Sequence, residues 1–395
     1  MTRHPSRSFA LIVFGTVLGI AGTDLVLPAV PMLPDVLGGT AEGAQLVLAA
    51  FTGGAGTGLL LFGALGARYD QRSVLVGALL CYALVSALCA FSPGLDALIG
   101  LRVLQGVASA APAVFAPGMI RALFGDARAV SALGLLGSVE SLTPALAPVA
   151  GVWLLHAFGW NGSFEVLAAL ALLLAGVLLA ARDALPPMVT RAKPGGYLRI
   201  LRDIVFLRFA LSQAWTLGAL LVFVFGAPAV FIHALGADLA SFIRMQMIGV
   251  ALFIVAATCA GRLVARFGAR RMVIFGSVLG AVGALAILAY ALAGGRDTLV
   301  ISCLFPMMNV GLGLRGPAGF HAAVVAAHDD ARGSALVILA ILGTASLGTA
   351  AVAPLIAHGL VPLAAAAAVL AVGSVLLVIG PGLFDPQPSG EMAHG

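Results

Sequence analysis

Long apolar runs separated by short polar connections repeat along the whole chain. Each run holds roughly 20 residues, the length that an α-helix needs to cross a bilayer. Because the connections are too short to hold a soluble domain, the pattern predicts an all-α integral membrane protein. Twelve spans are predicted, and they begin near Phe9, Ala44, Ser73, Leu95, Val130, Ser163, Leu207, Ser241, Met272, Thr298, Gly333 and Val361.

The first apolar run, Phe9 to Val30, contains a carboxyl residue, Asp24, at membrane depth. The run is too long for a removable signal peptide, and no small-residue cleavage site follows it. An ionisable side chain inside the bilayer is costly and is usually functional. Because the balance between the two forms of a carboxyl group changes with its surroundings, Asp24 is the leading candidate to load and release a proton. The structural alternative is a helix cap or a hydrogen bond to Thr23.

Three further charges interrupt later runs: Arg102 in span 4, Glu140 in span 5 and Arg315 in span 10. Arg102 could approach Asp24 in one conformation and so link protonation to conformation. Glu140 is a second proton site, an anchor for a cationic substrate, or an ion-pair partner of one of the arginines. It should face a cavity, because exposure to lipid would cost several kcal/mol. Arg315 could bind an acidic group of a substrate, or else pair with Glu140.

Other polar or amphipathic side chains within the spans are expected to avoid lipid. They would line a substrate cavity or form hydrogen bonds between helices. These candidates are Gln105, Asn309, Gln213 and Trp215. His321 is expected to be a packed, hydrogen-bonded histidine near the end of span 10, and Asp329 and Asp330 are expected in the loop that follows.

A weak internal repeat divides the spans into two halves. Pro28, Leu65, Arg68 and Arg72 have ordered counterparts in the second half of the chain. The counterparts are Pro228, Leu263, Arg266 and Arg270. Parallel repeats of this kind place a substrate site between the halves, near the middle of the bilayer.

The domain organisation follows from this repeat. We expect a six-helix bundle in residues 1–181, a cytoplasmic basic linker in 182–206, a second six-helix bundle in 207–384 and a cytoplasmic tail in 385–395. The linker region is rich in arginine and proline. Its stretch from Tyr197 to Arg208 can form a basic amphipathic helix on anionic lipid headgroups.

Basic residues lie at alternate connections between the spans. They are Arg3, Arg7, Arg68, Arg72, Arg121, Arg128, Arg262, Arg266, Arg270, Arg271 and Arg332. The remaining connections carry Asp35, Glu42, Asp96 and Asp238, with Arg296 as their only basic residue. Because Lys and Arg are retained on the cytoplasmic side, both termini are predicted to be cytoplasmic.

Composition agrees with this topology. The chain is 61% hydrophobic and 9% charged, and its mean hydropathy is +1.11. Membrane lipids and the basic connections account for the net charge of +5, so no nucleic-acid partner is expected. An Arg-rich, Ala-rich chain with a single Lys indicates a bacterial inner membrane. The cysteines lie within spans without metal-ligand spacing, so neither a metal nor a cofactor is expected.

Several motifs resemble one family. Span 1 ends in Thr-Asp-Leu-Val-Leu-Pro-Ala-Val-Pro around Asp24, and span 4 carries Arg-Val-Leu-Gln-Gly from Arg102. Span 5 carries Pro144, Pro148 and Gly151. These residues resemble the twelve-span drug:proton antiporters of the major facilitator superfamily, particularly the Bcr/CflA-like branch. The resemblance implies two pseudo-symmetric six-helix bundles, a proton-coupling role for Arg102, and conformational roles for the span 5 motif and the arginines of the repeat.

Two departures from the family pattern are informative. In the loop after span 2 the family has an Asp that pairs across the halves, and Ala67 stands there in this chain. Asp70 or another acid would have to replace it. In span 5, Ala147 and Val152 stand where the antiporter motif usually has glycine, and Asn161 where an Arg commonly follows the Trp.

These observations predict a proton-coupled exporter of small amphipathic compounds, acting as a monomer by alternating access. No phosphate-cradling Gly-x-x-x-x-Gly-Lys motif is present, so an ion gradient is the expected energy source. An uncoupled facilitator or an importer of a small organic anion is the alternative within transport. A membrane-embedded enzyme or a receptor is a more remote alternative.

Overall fold

The computed structural model describes residues 5–181, Leu185 and residues 196–379, and all regular structure in this part of the chain is helical. Eleven of its helices are long and apolar enough to cross a membrane, and a bent pair, Arg128–Pro144 with Leu146–Phe158, adds a twelfth. The prediction of an all-α protein with twelve spans is confirmed. Most of the linker and the predicted tail lie outside the described residues.

The spans alternate in direction, because short connections join consecutive helices. We call the side where the even-numbered spans end the linker face, since the linker lies there, and the other side the distal face. The twelve spans are Pro5–Asp24, Ala41–Gly66, Gln71–Ala90, Leu95–Phe124, Asp126–Phe158, Gly162–Ala180, Ile204–Ala229, Leu239–Phe267, Ala269–Leu292, Thr298–Ala326, Asp330–Val352 and Leu360–Ile379.

Spans 1 and 7 both lose regular α-helical geometry next to a proline. After Asp24 the chain forms a 3₁₀ helix, Leu27–Met32, which contains Pro28. Span 7 passes through Pro228 into a π-helical turn, Val230–Ala234. Proline lacks the backbone N–H donor that continues an α-helix, so both breaks follow from the sequence. The two prolines mark comparable places in the two halves.

The linker contains a short helix, Gly196–Leu201, that ends before span 7 begins. The Asp203 carboxylate accepts hydrogen bonds from the backbone N–H groups of Val205 and Phe206, at 2.9 and 3.2 Å. Such a side chain caps the start of a new helix. The predicted single amphipathic helix from Tyr197 to Arg208 is therefore wrong, because the aspartate separates it into two helices.

The linker helix contacts both halves. The Tyr197 hydroxyl donates a 2.6 Å hydrogen bond to the carbonyl of Leu60 in span 2, and burial raises the pKa of this hydroxyl to about 12. The Arg199 guanidinium donates a 3.2 Å hydrogen bond to the carbonyl of Ala327, directly after span 10. The helix therefore bridges spans 2 and 10 instead of lying free on lipid headgroups.

The two halves meet through spans 2 and 11 and through spans 5 and 8. In a twofold arrangement of six-helix repeats, these two pairs are equivalent. A Cβ built on Gly66 would lie 3.1 Å from the Cβ of Ala331, and one built on Gly134 would lie 2.2 Å from the carbonyl oxygen of Ala257. Both approaches lie toward the linker face, so the halves close the bundle on that side.

Glycines allow spans 2 and 4 to pack closely. A Cβ on Gly54 would lie 2.1 Å from the carbonyl oxygen of Val103, and one on Gly106 would lie 2.0 Å from that of Phe51. In a membrane, where lipid tails are as apolar as leucine, close packing of small residues holds helices together. This seam fixes the turn of span 4 that carries Arg102.

Gly106→Ala should lower the free energy of unfolding by about 1–3 kcal/mol, because overpacking displaces one of the helices. Gly77→Ala is the matched control, since a Cβ at that exposed position would meet nothing within 4 Å. Thermal unfolding in detergent, followed by tryptophan fluorescence, compares the two variants. Equal stability of both variants would show that spans 2 and 4 can move apart to accommodate a methyl group without a loss of stability.

Candidate functional site

Arg102 is completely buried in the first half and has no acidic ion-pair partner among the described residues. Its Nη1 donates to the carbonyl of Gly22 in span 1 at 2.9 Å, and its Nε donates to the carbonyl of Val47 in span 2 at 3.1 Å. The guanidinium covers the Phe51 ring, 4.2 Å from its centroid. Arg102 therefore ties spans 1, 2 and 4 together through backbone oxygens and an aromatic face.

Span 1 receives this cation in its last turn. Gly22 lies two residues before the helix ends at Asp24, and the last four carbonyls of an α-helix lack intrahelical donors. A positive charge is favourable there, because the C-terminus of a helix carries a partial negative charge. Arg102 thus caps span 1 at the point where the chain leaves α-helical geometry.

Asp24 is partly exposed, and no hydrogen bond or ion pair joins its side chain to the described residues. Two residues turn an α-helix by about 200°, so Asp24 points away from the side on which Gly22 meets Arg102. Its neighbours on the same face are Ile20 and Thr16, at spacings of four residues. In this conformation Asp24 and Arg102 are connected only through the last turn of span 1.

Glu140 is partly buried in span 5 and lies beside the Thr16 hydroxyl of span 1. Since Thr16 and Asp24 share a face of span 1, the two carboxyl groups border the same seam between spans 1 and 5. Thr16 and Asp24 are about 12 Å apart along the helix axis. Among the residues that the structure describes, Glu140 forms an ion pair with neither Arg102 nor Arg315.

Arg315 is completely buried in the second half. Its Nη1 donates to the carbonyl and hydroxyl oxygens of Ser212 in span 7, at 2.8 and 3.0 Å, and to the Thr216 hydroxyl. Each buried arginine therefore binds the first span of its own half. Arg102 lies near the start of span 4 and Arg315 beyond the middle of span 10, so Arg102 is closer to the distal face and Arg315 to the linker face.

Two of the predicted cavity residues form hydrogen bonds within their own half. Gln105 accepts the 2.6 Å bond from Arg102 Nη1 and donates a 2.7 Å bond to the Ser86 hydroxyl in span 3. Asn309 donates to the carbonyl of Phe305, one turn earlier in span 10, at 3.3 Å. In this conformation both side chains stabilise the packing of buried helices.

The two predicted cavity residues of span 7 differ from each other. Trp215 is partly buried against span 12, where a Cβ on Gly373 would lie 2.5 Å from its ring. Gln213 is buried, and its Oε1 has no hydrogen-bond partner among the described residues. Gln213 therefore lies beside Arg315 with unused hydrogen-bonding capacity.

The span 5 motif shapes the contact between spans 1 and 5. A Cβ on Gly151 would lie 2.4 Å from the carbonyl oxygen of Leu25, directly after span 1. The two parts of span 5 meet at an angle of 42° after Pro144, and the partly buried Pro148 lies one turn further on. The motif thus lets span 5 bend and approach the broken end of span 1.

The arginines of the internal repeat lie at the linker face. Arg72 donates a 2.7 Å hydrogen bond to the carbonyl of Leu178 in span 6, and so binds within the first half. Arg68, Arg266 and Arg270 are exposed. These positions suit interactions with lipid headgroups or loops.

An ion-pair cluster joins the two halves at the linker face. Arg121 Nη1, at the end of span 4, lies 3.2 Å from Asp330 Oδ1, at the start of span 11. Asp126 Oδ1 of span 5 lies 3.8 Å from Arg121 Nε and 3.5 Å from His321 Nε2 of span 10. We call these four residues the latch. It connects two spans from each half.

The latch bears on the substitution at Ala67. Ala67 is buried at the end of span 2, and Asp70 accepts a 2.9 Å hydrogen bond from the backbone N–H of Ser73, so Asp70 serves its own half. Asp330 provides an acid that reaches across the halves. The expectation of a loop is wrong for Asp330, which is the first residue of span 11, whereas Asp329 lies in the connection and caps the start of that span.

Twelve helices in two halves, with charges buried inside each half, define a multi-pass membrane transporter. The chain belongs to the Major Facilitator Superfamily, whose family model matches residues 12–351. The family consists of transporters, so the chain is classed with transporters and not with enzymes.

Relatives agree with the predicted branch of the family. A chloramphenicol resistance protein of Pseudomonas aeruginosa is 28% identical over 301 residues, which cover 75% of this chain and 71% of that protein. A bicyclomycin resistance protein homolog of Haemophilus influenzae is 23% identical over 257 residues, covering 64% of this chain and 65% of that protein. The predicted resemblance to Bcr/CflA-like transporters is confirmed.

A solved structure shows the same fold. The superfamily transporter FucP in the outward conformation matches with a TM-score of 0.74 at 15% identity, covering 94% of this chain and 97% of that one. The prediction of the major facilitator fold is therefore confirmed.

Removing the latch ion pair should open the linker face more often. The reporter is Ala335→Cys in a variant whose four native cysteines are replaced by serine, because Ala335 is fully buried against Gly63 of the other half. Arg121→Gln should raise the rate of maleimide labelling about fivefold, since a partly exposed ion pair contributes about 1 kcal/mol. Arg128→Gln, which removes an exposed arginine from the same region, is the control. Unchanged labelling in Arg121→Gln would mean that apolar contacts alone keep this face closed.

Proposed function

We propose that this chain is a proton-coupled exporter of small amphipathic compounds in a bacterial plasma membrane, working as a monomer by alternating access. The observation that carries the proposal is the position of Asp24. Asp24 is the last residue of the span 1 helix, inside the candidate membrane span Pro5–Leu37. Its carboxyl group is partly exposed and has no partner among the described residues, and it lies on the helix turn that Arg102 holds. The resistance proteins among the relatives support export of drug-like compounds.

The coupling we propose acts through the charge at the end of span 1. An ionised Asp24 adds negative charge to the last turn and strengthens the attraction between that turn and Arg102. A protonated Asp24 weakens the attraction. Because Arg102 also binds the carbonyl of Val47, protonation changes how firmly spans 1, 2 and 4 are held together, and a change of this kind shifts the population of conformations.

Orientation gives the direction of the cycle. The basic connections support a cytoplasmic linker face. With that orientation we propose that the structure, which is closed on the linker face, represents an outward-facing state. In our proposal Asp24 takes up a proton from outside in this state and releases it inside after the halves have rocked. Glu140, on the same seam but about 12 Å deeper by the rise of span 1, is the second group in the proton path.

Four side chains of the second half and one of the first half are proposed to contact the exported compound. Arg315, Gln213, Asn309 and Trp215 lie on spans 7 and 10, and Gln105 lies on span 4. Spans 1, 4, 7 and 10 are the first and fourth helices of the two repeats, and a site between the repeats is the usual place for a transported compound.

Asp24→Asn should abolish proton movement triggered by transported compounds, because a side-chain amide does not gain or lose a proton by titration at working pH. The measurement is proton flux in proteoliposomes with an imposed pH gradient, scanning cationic drugs and carboxylate-bearing metabolites. Asp35→Asn is the matched control, since Asp35 is an exposed carboxylate in the segment that follows the same span.

Two outcomes would decide between coupled and uncoupled transport. Loss of proton movement in Asp24→Asn, with wild-type behaviour in the control, supports antiport through Asp24. If compounds cross the membrane equally in wild type and Asp24→Asn without proton movement, the chain is a facilitator and the coupling mechanism is wrong.

A further inference from the structure

The second half contains a cation whose hydrogen-bonding capacity is only partly used. A guanidinium has five N–H donors in a planar fork. Arg315 uses Nη1 to bind Ser212 and Thr216, whereas its Nε and Nη2 are buried without a hydrogen-bond partner among the described residues. A buried charged donor without an acceptor is unfavourable. The Nε and Nη2 edge of the guanidinium is therefore expected to bind an acceptor in another conformation of the transporter.

A second unpartnered group lies at the same place. A Cβ built on Gly319 would lie 2.8 Å from Arg315 Nη2 and 2.9 Å from Gln213 Oε1. Gln213 is itself buried, and its Oε1 lacks a partner among the residues described. A side-chain amide has an acceptor oxygen and an NH₂ group with two donors, and rotating the amide by 180° about its last torsion exchanges the positions of the oxygen and the nitrogen. Arg315 and Gln213 therefore offer convergent donors, and Gly319 keeps the space beside them free of a side chain.

This group lies at the seam between spans 7 and 10. Pro317, two residues after Arg315, is on the opposite face of span 10, where its Cγ lies 3.4 Å from a Cβ built on Gly134 in span 5. Gly319, beside Arg315 Nη2, is one turn after Arg315 toward the linker end of span 10. The free edge of the guanidinium therefore lies toward the linker end of this seam, and the linker side is the side from which a compound would reach it.

We propose that Arg315, together with Gln213, forms a subsite for a carboxylate group on the exported compound, and that it is filled when the linker face is open. The inference rests on the proposed function, because an exporter loads its compound from the cytoplasmic side. Two carboxylate oxygens match Nε and Nη2 of a guanidinium in a bidentate pair, and the Gln213 amide can donate to the same group. With the linker face closed, Arg315 is completely buried, so a carboxylate does not reach it from the distal face.

The test uses pairs of aromatic compounds that differ only in a carboxylate or a carboxamide. Transport is measured in inside-out vesicles, which present the linker face to the added compound. Arg315→Lys keeps the charge but loses the planar fork. It should raise the KM for the carboxylate member at least about tenfold more than the KM for the carboxamide member. Arg244→Gln, at an exposed position near the distal start of span 8, is the matched control and should change neither.

A second variant separates loss of the subsite from misfolding, and a binding measurement detects the subsite even if transport is not coupled to protons. Gln213→Leu should weaken carboxylate transport more than carboxamide transport, and measurable carboxamide transport shows that a variant is folded. Quenching of tryptophan fluorescence in the purified protein reports binding without transport, since Trp215 lies two residues from Gln213.

The possible outcomes separate the two proposals. Equal loss of both members of a pair in Arg315→Lys would show that Arg315 only joins spans 7 and 10, and the subsite would be rejected. Transport of carboxamides but of no carboxylate by the wild type would also reject it, while leaving proton-coupled export intact. Carboxylate binding that is lost in Arg315→Lys, without proton movement in the wild type, would support the subsite and contradict the coupling.

Discussion

A guanidinium buried in a membrane protein without an acidic partner must be held by neutral oxygens and aromatic faces, and the first half is built around that requirement. Arg102 obtains two backbone carbonyls and one side-chain amide oxygen, and it covers the Phe51 ring. The carbonyl of Gly22 is available because span 1 ends two residues later. Glycines on spans 2 and 4 bring the helices close enough for these contacts. Breaks, glycines and the buried charge therefore depend on one another.

Sequence reasoning succeeded where the physical cause is local. Apolar length defined the spans, because that signal acts within one segment of the chain. Pro28 and Pro228 were aligned only as counterparts in the repeat, and the structure shows that both lie at breaks in their helices. Sequence reasoning failed where the cause is tertiary. Asp330 was placed in a loop, since nothing near it in the chain shows that Arg121 of the other half lies 3.2 Å away. Acids at the starts of spans on a face rich in arginine, Asp126 and Asp330, were the signal that could have identified the latch.

The relation between Asp24 and Arg102 shows another limit of sequence reasoning. Opposite charge associates the two residues in the sequence, but helix geometry places them on different sides of span 1, so a direct ion pair does not form in this conformation. What connects them is the carbonyl of Gly22, a backbone group that a residue pattern does not show. In the proposed mechanism the proton group and the anion subsite lie at different depths and in different halves, so proton and compound influence each other through conformation and do not compete for one side chain.

The linker helix has a further consequence for how this sequence can vary. Tyr197 and Arg199 bind the carbonyl oxygens of Leu60 and Ala327, not their side chains. Every residue type at those two positions offers the same acceptor, so spans 2 and 10 can change their side chains there while the bridge between the halves is kept. The bridge is thereby insulated from sequence drift at positions 60 and 327. It still depends on Gly63, where a Cβ would lie 2.2 Å from the Tyr197 hydroxyl.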